Sequence, residues 1–146
     1  MAQDNSIDNV EVRKYYYKSG ALRWETPYVN GKEHGIVKFY YESGALMAEA
    51  PYVNGKVHGV IKWYYKSGAI WREIPYVNGG RNGIERGYYE SGALMAETPC
   101  VKGKMHGIAK HYDKDNINID RLMLYERSHE VLTLCLESYG AVSTKS

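Results

Sequence analysis

Apolar and polar positions alternate in short runs along this chain, and the runs recur every 24 residues. Gly20, Gly44, Gly68 and Gly92 mark the beat, as do Pro27, Pro51, Pro75 and Pro99, and Gly35, Gly59, Gly83 and Gly107. Each unit holds two runs of strand length, Ala21–Val29 and Ile36–Tyr41 in the first copy. Two turn signals separate them. One is Ser-Gly, at Ser19-Gly20 and its copies; the other is Asn-Gly-Lys-x-His-Gly, from Asn30 to Gly35. Glycine supplies the positive φ such turns demand. Pro27 and its copies fall inside the longer run, and a proline cannot donate to a ladder, so that end of the strand is predicted to be irregular. A fixed period carried through four copies marks a repeat array whose units pack on their neighbours.

The full units run 16–39, 40–63, 64–87 and 88–111. A half unit at 10–17 precedes them, because Val12, Lys14 and Tyr16 match Ile36, Lys38 and Tyr40. A degenerate capping unit follows at 112–141: Asn116 and Gly140 fall on the glycine phase and Ala141 on the alanine phase. A helix through Leu122–Leu136 is an open alternative, since apolar spacing does not exclude it. Residues 1–146 are then read as one repeat domain. The predicted fold is all-β: a single extended, curved antiparallel meander of stacked β-hairpins, about eleven strands in all.

Register follows from loop length. A two-residue loop at Ser43-Gly44 sets Glu42 opposite Ala45 and Lys38 opposite Glu49. A four-residue loop at Asn30–Glu33 sets Glu25 opposite Lys38. Together they place Lys14, Glu25, Lys38, Glu49, Lys62, Glu73, Arg86, Glu97 and Lys110 in one row of alternating sign. A slip of one residue would scatter the row, and a bulge at the glycine, such as three-residue loops with a terminal glycine make, is expected to break it. Beyond Lys110 the row decays, with Arg121 expected beside Lys110 and Leu134 in a lysine's place.

The two faces differ. The charged face also carries Ile36, Val60, Ile84 and Ile108 with Tyr40, Tyr64, Tyr88 and Tyr112, and scarcely changes between units. The opposite face varies: Phe39, Trp63, Gly87, His111 in one row, Val37, Ile61, Glu85, Ala109 in another, Trp24, Ala48, Arg72, Ala96 in a third. A constant face suits architecture and a variable one suits recognition. Arg72 is expected between Trp63 and Gly87 with Glu85 diagonal to it, which makes a charged notch beside aromatic anchors. Trp24, Phe39, Trp63, Arg72, Glu85 and His111 are the candidate partner-binding residues. An uncovered sheet face and open edges also admit a homodimer.

Composition narrows the function. The 15 tyrosines against one phenylalanine favour strands. The net charge is +2 with both signs interleaved, which leaves no nucleic-acid footprint. No apolar run reaches the ~18 residues of a membrane span. The polar start lacks the basic and apolar regions of a leader, so a cytoplasmic place is expected. Equivalent His34, His58 and His106 lie two strands apart, about 9–10 Å, too far to share a metal ion. Cys100 and Cys135 lie three strands apart, about 14 Å, beyond disulfide reach. No nucleophile–base pair stands out and the glycine turns open no helix. No catalysis, metal or cofactor is expected.

The unit Tyr-x-Asn-Gly-Lys-x-His-Gly-x-x-Lys-x-Tyr-Tyr-x-Ser-Gly resembles the bacterial variant of the membrane occupation and recognition nexus (MORN) repeat, over about Tyr16 to Tyr112. The commoner form has a Gly-x-Gly pair after the turn, whereas Ile36 and Val37 follow Gly35 here. The resemblance implies stacked hairpins in an extended sheet. It is closer to the variant found in antitoxin and immunity proteins, which implies binding and occlusion of a protein toxin. The rival implications are a self-assembling scaffold and peripheral attachment to a membrane.

Overall fold

The computed structural model describes residues 8–115, 118–136 and 142–145. The strands are β1 (Val10–Tyr16), β2 (Leu22–Val29), β3 (Lys32–Glu33), β4 (Gly35–Tyr40), β5 (Leu46–Val53), β6 (Lys56–Val57), β7 (Gly59–Tyr64), β8 (Ile70–Val77), β9 (Gly80–Arg81), β10 (Gly83–Tyr88), β11 (Leu94–Val101), β12 (Lys104–Met105), β13 (Gly107–Tyr112), β14 (Ile119–Glu126), β15 (His129–Leu136) and β16 (Val142–Lys145). They form one antiparallel sheet in the order β1-β2-β4-β5-β7-β8-β10-β11-β13-β14-β15-β16. The short β3, β6, β9 and β12 pair back on β2, β5, β8 and β11 at the hairpin tips. The main path thus holds twelve strands among the described residues, not eleven. β14 and β15 form a hairpin where a helix through Leu122–Leu136 was the alternative. Asn116, Gly140 and Ala141, which phase the capping unit, lie outside the described residues.

The alternating row is present at every predicted step, from Lys14↔Glu25 through Lys38↔Glu49 and Glu73↔Arg86 to Glu97↔Lys110. The loops that produce it differ from the prediction. At the Ser-Gly turn, the Tyr41 amide donates to Ala45 O at 2.8 Å and Gly44 N to Tyr41 O at 2.8 Å. The loop is therefore three residues, Glu42 to Gly44, which moves the register by one. A bulge at Met47, between Tyr40↔Leu46 and Phe39↔Ala48, moves it back, so a bulge preserves the row that it was expected to break, because it cancels the extra loop residue. At the other turn, Val29↔Lys32 and Tyr28↔Glu33 close on a two-residue turn, Asn30-Gly31, with φ of 51° and 79°. That is a type I′ hairpin. A second irregularity after His34 restores Glu25↔Lys38. It falls beside Pro27, whose carbonyl accepts the His34 amide at 3.0 Å. The missing proline N–H points to that same side, where the irregularity removes any need for a donor.

One register expectation fails. Lys110 faces Leu122, and Arg121 faces His111 on the variable face. The cause is the turn: Asp113 N reaches Asn118 O, four residues being enclosed rather than three. Leu134 takes the expected place, opposite Leu122.

What the row contacts also differs. Among the described residues its ion pair is Arg86–Glu97 at 3.3 Å. The glutamates instead accept tyrosine hydroxyls: Tyr40 to Glu25 at 2.8 Å, Tyr64 to Glu49 at 2.8 Å, Tyr88 to Glu73 at 2.7 Å, Tyr112 to Glu97 at 2.9 Å. The neighbouring tyrosine reaches forward, as Tyr41 does to Tyr64 O at 2.9 Å and Tyr65 to Tyr88 O at 2.8 Å. The pairs Tyr40–Tyr41, Tyr64–Tyr65 and Tyr88–Tyr89 therefore tie their units to the hairpins on both sides. The tips are tied as well, with Gly55 N to Glu33 O and Gly79 N to Val57 O, both 2.8 Å. His34 and His58 face the next tip, their Nδ1 atoms 3.5 and 3.4 Å from the Asn54 and Asn78 amides.

Burial, with the hydroxyl–carboxylate bond second, pushes the Tyr40, Tyr64 and Tyr88 phenols up to about 12. A pKa raised in the fold contributes stability that is complete below the unfolded value, about 10, and is lost as pH rises through the folded one. Alkaline titration should therefore show late tyrosinate absorbance rising as the β-sheet circular dichroism falls, between about pH 10 and 12. Full ionisation near pH ~10 with the sheet signal intact would contradict this.

Candidate partner-binding face

The buried core sits on the variable face: among the described residues, Thr26, Val37, Ala48, Ala50, Ile74, Cys100 and Ala109 are buried. Ile36, Val60, Ile84 and Ile108, on the constant face, are exposed. In a single sheet a small residue is buried by larger neighbours on the same face. Ala48, 1% exposed, lies between Phe39 and Trp63. Dispersion and apolar burial thus concentrate on the side that varies.

One row crosses this face: Tyr15, Trp24, Phe39, Ala48, Trp63, Arg72, Gly87, Ala96, His111 and Arg121, each opposite the next. Five of the six candidate residues occupy it, and Glu85 stands beside it. From β2 to β13 is seven strand steps, about 34 Å along the sheet. The candidates form a strip of three groups rather than one pocket. Trp24 stacks on Tyr15, with centroids 4.5 Å apart, and lies opposite Phe39. Trp63, Arg72 and Glu85 form the middle group. His111 stands apart, its Nδ1 2.9 Å from Asp120 Oδ1.

The middle group contains the predicted notch. Arg72 faces Gly87, and its Nε donates to Glu85 Oε1 at 2.7 Å while its Nη2 also reaches that oxygen. Arg81 approaches the other Glu85 oxygen at 3.7 Å. A recess of about 190 Å³ lies here, lined by Trp71, Arg72, Glu85, Gly87, Met95, Ala96 and Thr98. Gly87 opens it, since even a Cβ there would come within 3.1 Å of Met95 Cε. The Glu85 side chain is only 13% exposed, so its charge is held by the two guanidinium groups rather than by water.

Sequence reasoning missed Trp71 and Met95. Both are bulge residues, and a bulge re-aims a side chain that simple alternation assigns to the other face. Arg23, Met47 and Asp120 hold the same position in their hairpins. Trp71 meets Trp63 edge-on at 6.3 Å and lies 5.8 Å from the Arg72 guanidinium carbon. The detectable signal was the three-residue loop ending in Ser-Gly, Lys66 to Gly68 and Glu90 to Gly92, which requires a compensating bulge if the charged row is to survive.

Cys100 takes the place held by Tyr28, Tyr52 and Tyr76 and is buried. Burial, and then the Glu85 charge, pushes its thiol up against the opposing pull of Arg81 and Arg72. A thiol so placed stays protonated at neutral pH and is a poor nucleophile. A separate depression of about 430 Å³ at the hairpin tips is lined by Val101, Lys102, Lys104, His106 and Arg127. Among the described residues, no cluster of His, Cys, Asp and Glu suited to a metal is found, and no helix is long and apolar enough to cross a membrane.

Residues 33–54, 57–78 and 81–99 match the family described as MORN repeat variant. The matches cover less than half of the chain and establish the repeat from which its middle hairpins are built. Such MORN repeats generally serve as scaffolds for interaction with proteins or membranes. No curated protein matches the chain.

Proposed function

We propose that this chain is a bacterial, cytoplasmic immunity or antitoxin protein that binds a toxin and occludes it, with no catalytic step of its own. The observation that carries the reading is the concentration of aromatic, charged and recessed features on the variable face. A rigid sheet holds Trp63, Trp71 and Arg72 around a preformed notch, and anchors of these residue types dominate the energetics of protein interfaces. Trp24 with Phe39, and His111 with Asp120, extend the contact strip on either side. The product of the adjacent gene provides the test. Co-expression should restore growth that the adjacent product alone suppresses, and the two purified proteins should inhibit stoichiometrically. A harmless neighbour, or toxicity unchanged by this chain, removes the reading.

The rival reading is a structural scaffold that assembles with itself or rests on an acidic membrane. The basic rim of Lys102, Lys104, His106 and Arg127 at the tips favours it. A chain that stays monomeric and fails to float with acidic liposomes would dismiss it.

A further inference from the structure

We propose that the outer edge of β1 is a docking strand for a second copy of this chain, joining two sheets about a twofold axis through Val12. Among the described residues, no strand pairs the outer edge of β1. Every residue of β1 is exposed, including Val10 at 67%, Val12 at 52% and Tyr16 at 58%. Backbone directions identify the available groups. Asn9 O accepts from Asn30 N at 2.9 Å, and Tyr17 N donates to Ala21 O at 2.8 Å, so odd-numbered residues turn their amides and carbonyls toward β2. Val10, Val12, Lys14 and Tyr16 turn theirs outward.

An antiparallel copy can use those groups, with each face on its own side, in any register that sets even-numbered residues opposite even-numbered ones. With Val12 opposite Val12, Val10 meets Lys14 and Glu11 meets Arg13, twice by symmetry. Shifted by one residue pair, Arg13 would meet Arg13 in one direction and Glu11 would meet Glu11 in the other. The charges select the first register. Glu11 and Arg13 already pair within the strand at 2.7 Å, and the Arg13 guanidinium carbon lies 4.2 Å from the centroid of the Tyr28 ring. In the dimer they complete a closed set of four alternating charges. An acid and a base on either side of one apolar residue form a self-complementary pattern, which selects a second copy over an arbitrary extended peptide. The two sheets would continue through about six backbone hydrogen bonds, with both variable faces on one side. So small a contact belongs to the weak, concentration-dependent class. The inference is independent of what the variable face binds.

Sedimentation velocity across a concentration series tests it. The wild-type chain should move from monomer to dimer in the micromolar range. Val12→Pro removes an outward amide without touching the β1–β2 ladder, and should give a monomer with an unchanged circular dichroism spectrum. Glu11→Arg and Arg13→Glu should each weaken self-association by about tenfold or more, and mixing the two variants should restore a dimer, because opposite signs then meet at both pairs. A wild-type chain that stays monomeric, or a dimer indifferent to all three substitutions, overturns the proposal. A dimer that survives Glu11→Arg alone overturns the Val12-centred register.

Discussion

Gly59→Ala should be among the most damaging single substitutions in this array, at a cost of about 3 kcal/mol or more. Two penalties add at one atom. Gly59 has φ of +121°, a region in which an L side chain is strained, and a Cβ there would lie 2.9 Å from Pro51 Cγ. The same contact recurs for Gly35 on Pro27 at 3.0 Å and Gly83 on Pro75 at 2.9 Å, so the close approach of glycine to proline is a fixed part of the hairpin. Gly44→Ala is the control. Gly44 also has positive φ, +88°, but no atom within 4 Å of its Cβ position, so about 1 kcal/mol is expected. Adding Pro51→Ala to Gly59→Ala should recover part of the loss, and a double-mutant cycle in urea isolates that part. Because units pack chiefly on neighbours, the break should also split a single unfolding transition into two. Equal costs for Gly59→Ala and Gly44→Ala would show that the proline contact carries no energy.

Trp71→Ala and Arg72→Ala should each weaken partner binding by roughly 2 kcal/mol, about thirtyfold, on the proposed occlusion of a toxin. Trp71 packs against Trp63 and walls the recess, so its loss removes both an anchor and a side of the notch. Arg72 is one of two cations holding Glu85, and without it a largely covered carboxylate loses its nearest partner. Ile84→Ala on the constant face is the comparison. Ile84 is 45% exposed and should be nearly neutral for binding. Calorimetric titration of all three variants decides which face meets the partner. A large loss at Ile84 with none at Trp71 and Arg72 would move the contact to the constant face.

The candidate site was legible in part. The opposition of Trp63 to Arg72, of Arg72 to Gly87, and the diagonal Glu85 could all be derived from the period and the charged row. Trp71 and Met95 could not, since a bulge assigns them to a face that alternation denies them. Asp120 was hidden likewise, beside His111 at a bulge of its own, and the longer turn of Asp113 to Asn118 carried Arg121 to the variable face. The tyrosine–glutamate bonds were implicit in the matching periods of Tyr40 and Glu25. Reading them needs the separation of side chains across strands, which register alone does not supply.

The 24-residue period, the all-β meander and the charge-alternating row are properties of the sequence alone. A strand shows its side chains to alternate faces, and only one pairing brings every acid beside a base. The tertiary structure alone decided how the chain turns between strands. A two-residue loop without a bulge and a three-residue loop with one give the same net offset, so the charges cannot distinguish them. Backbone hydrogen bonding at each turn makes that choice, and with it determines which side chains wall the recess.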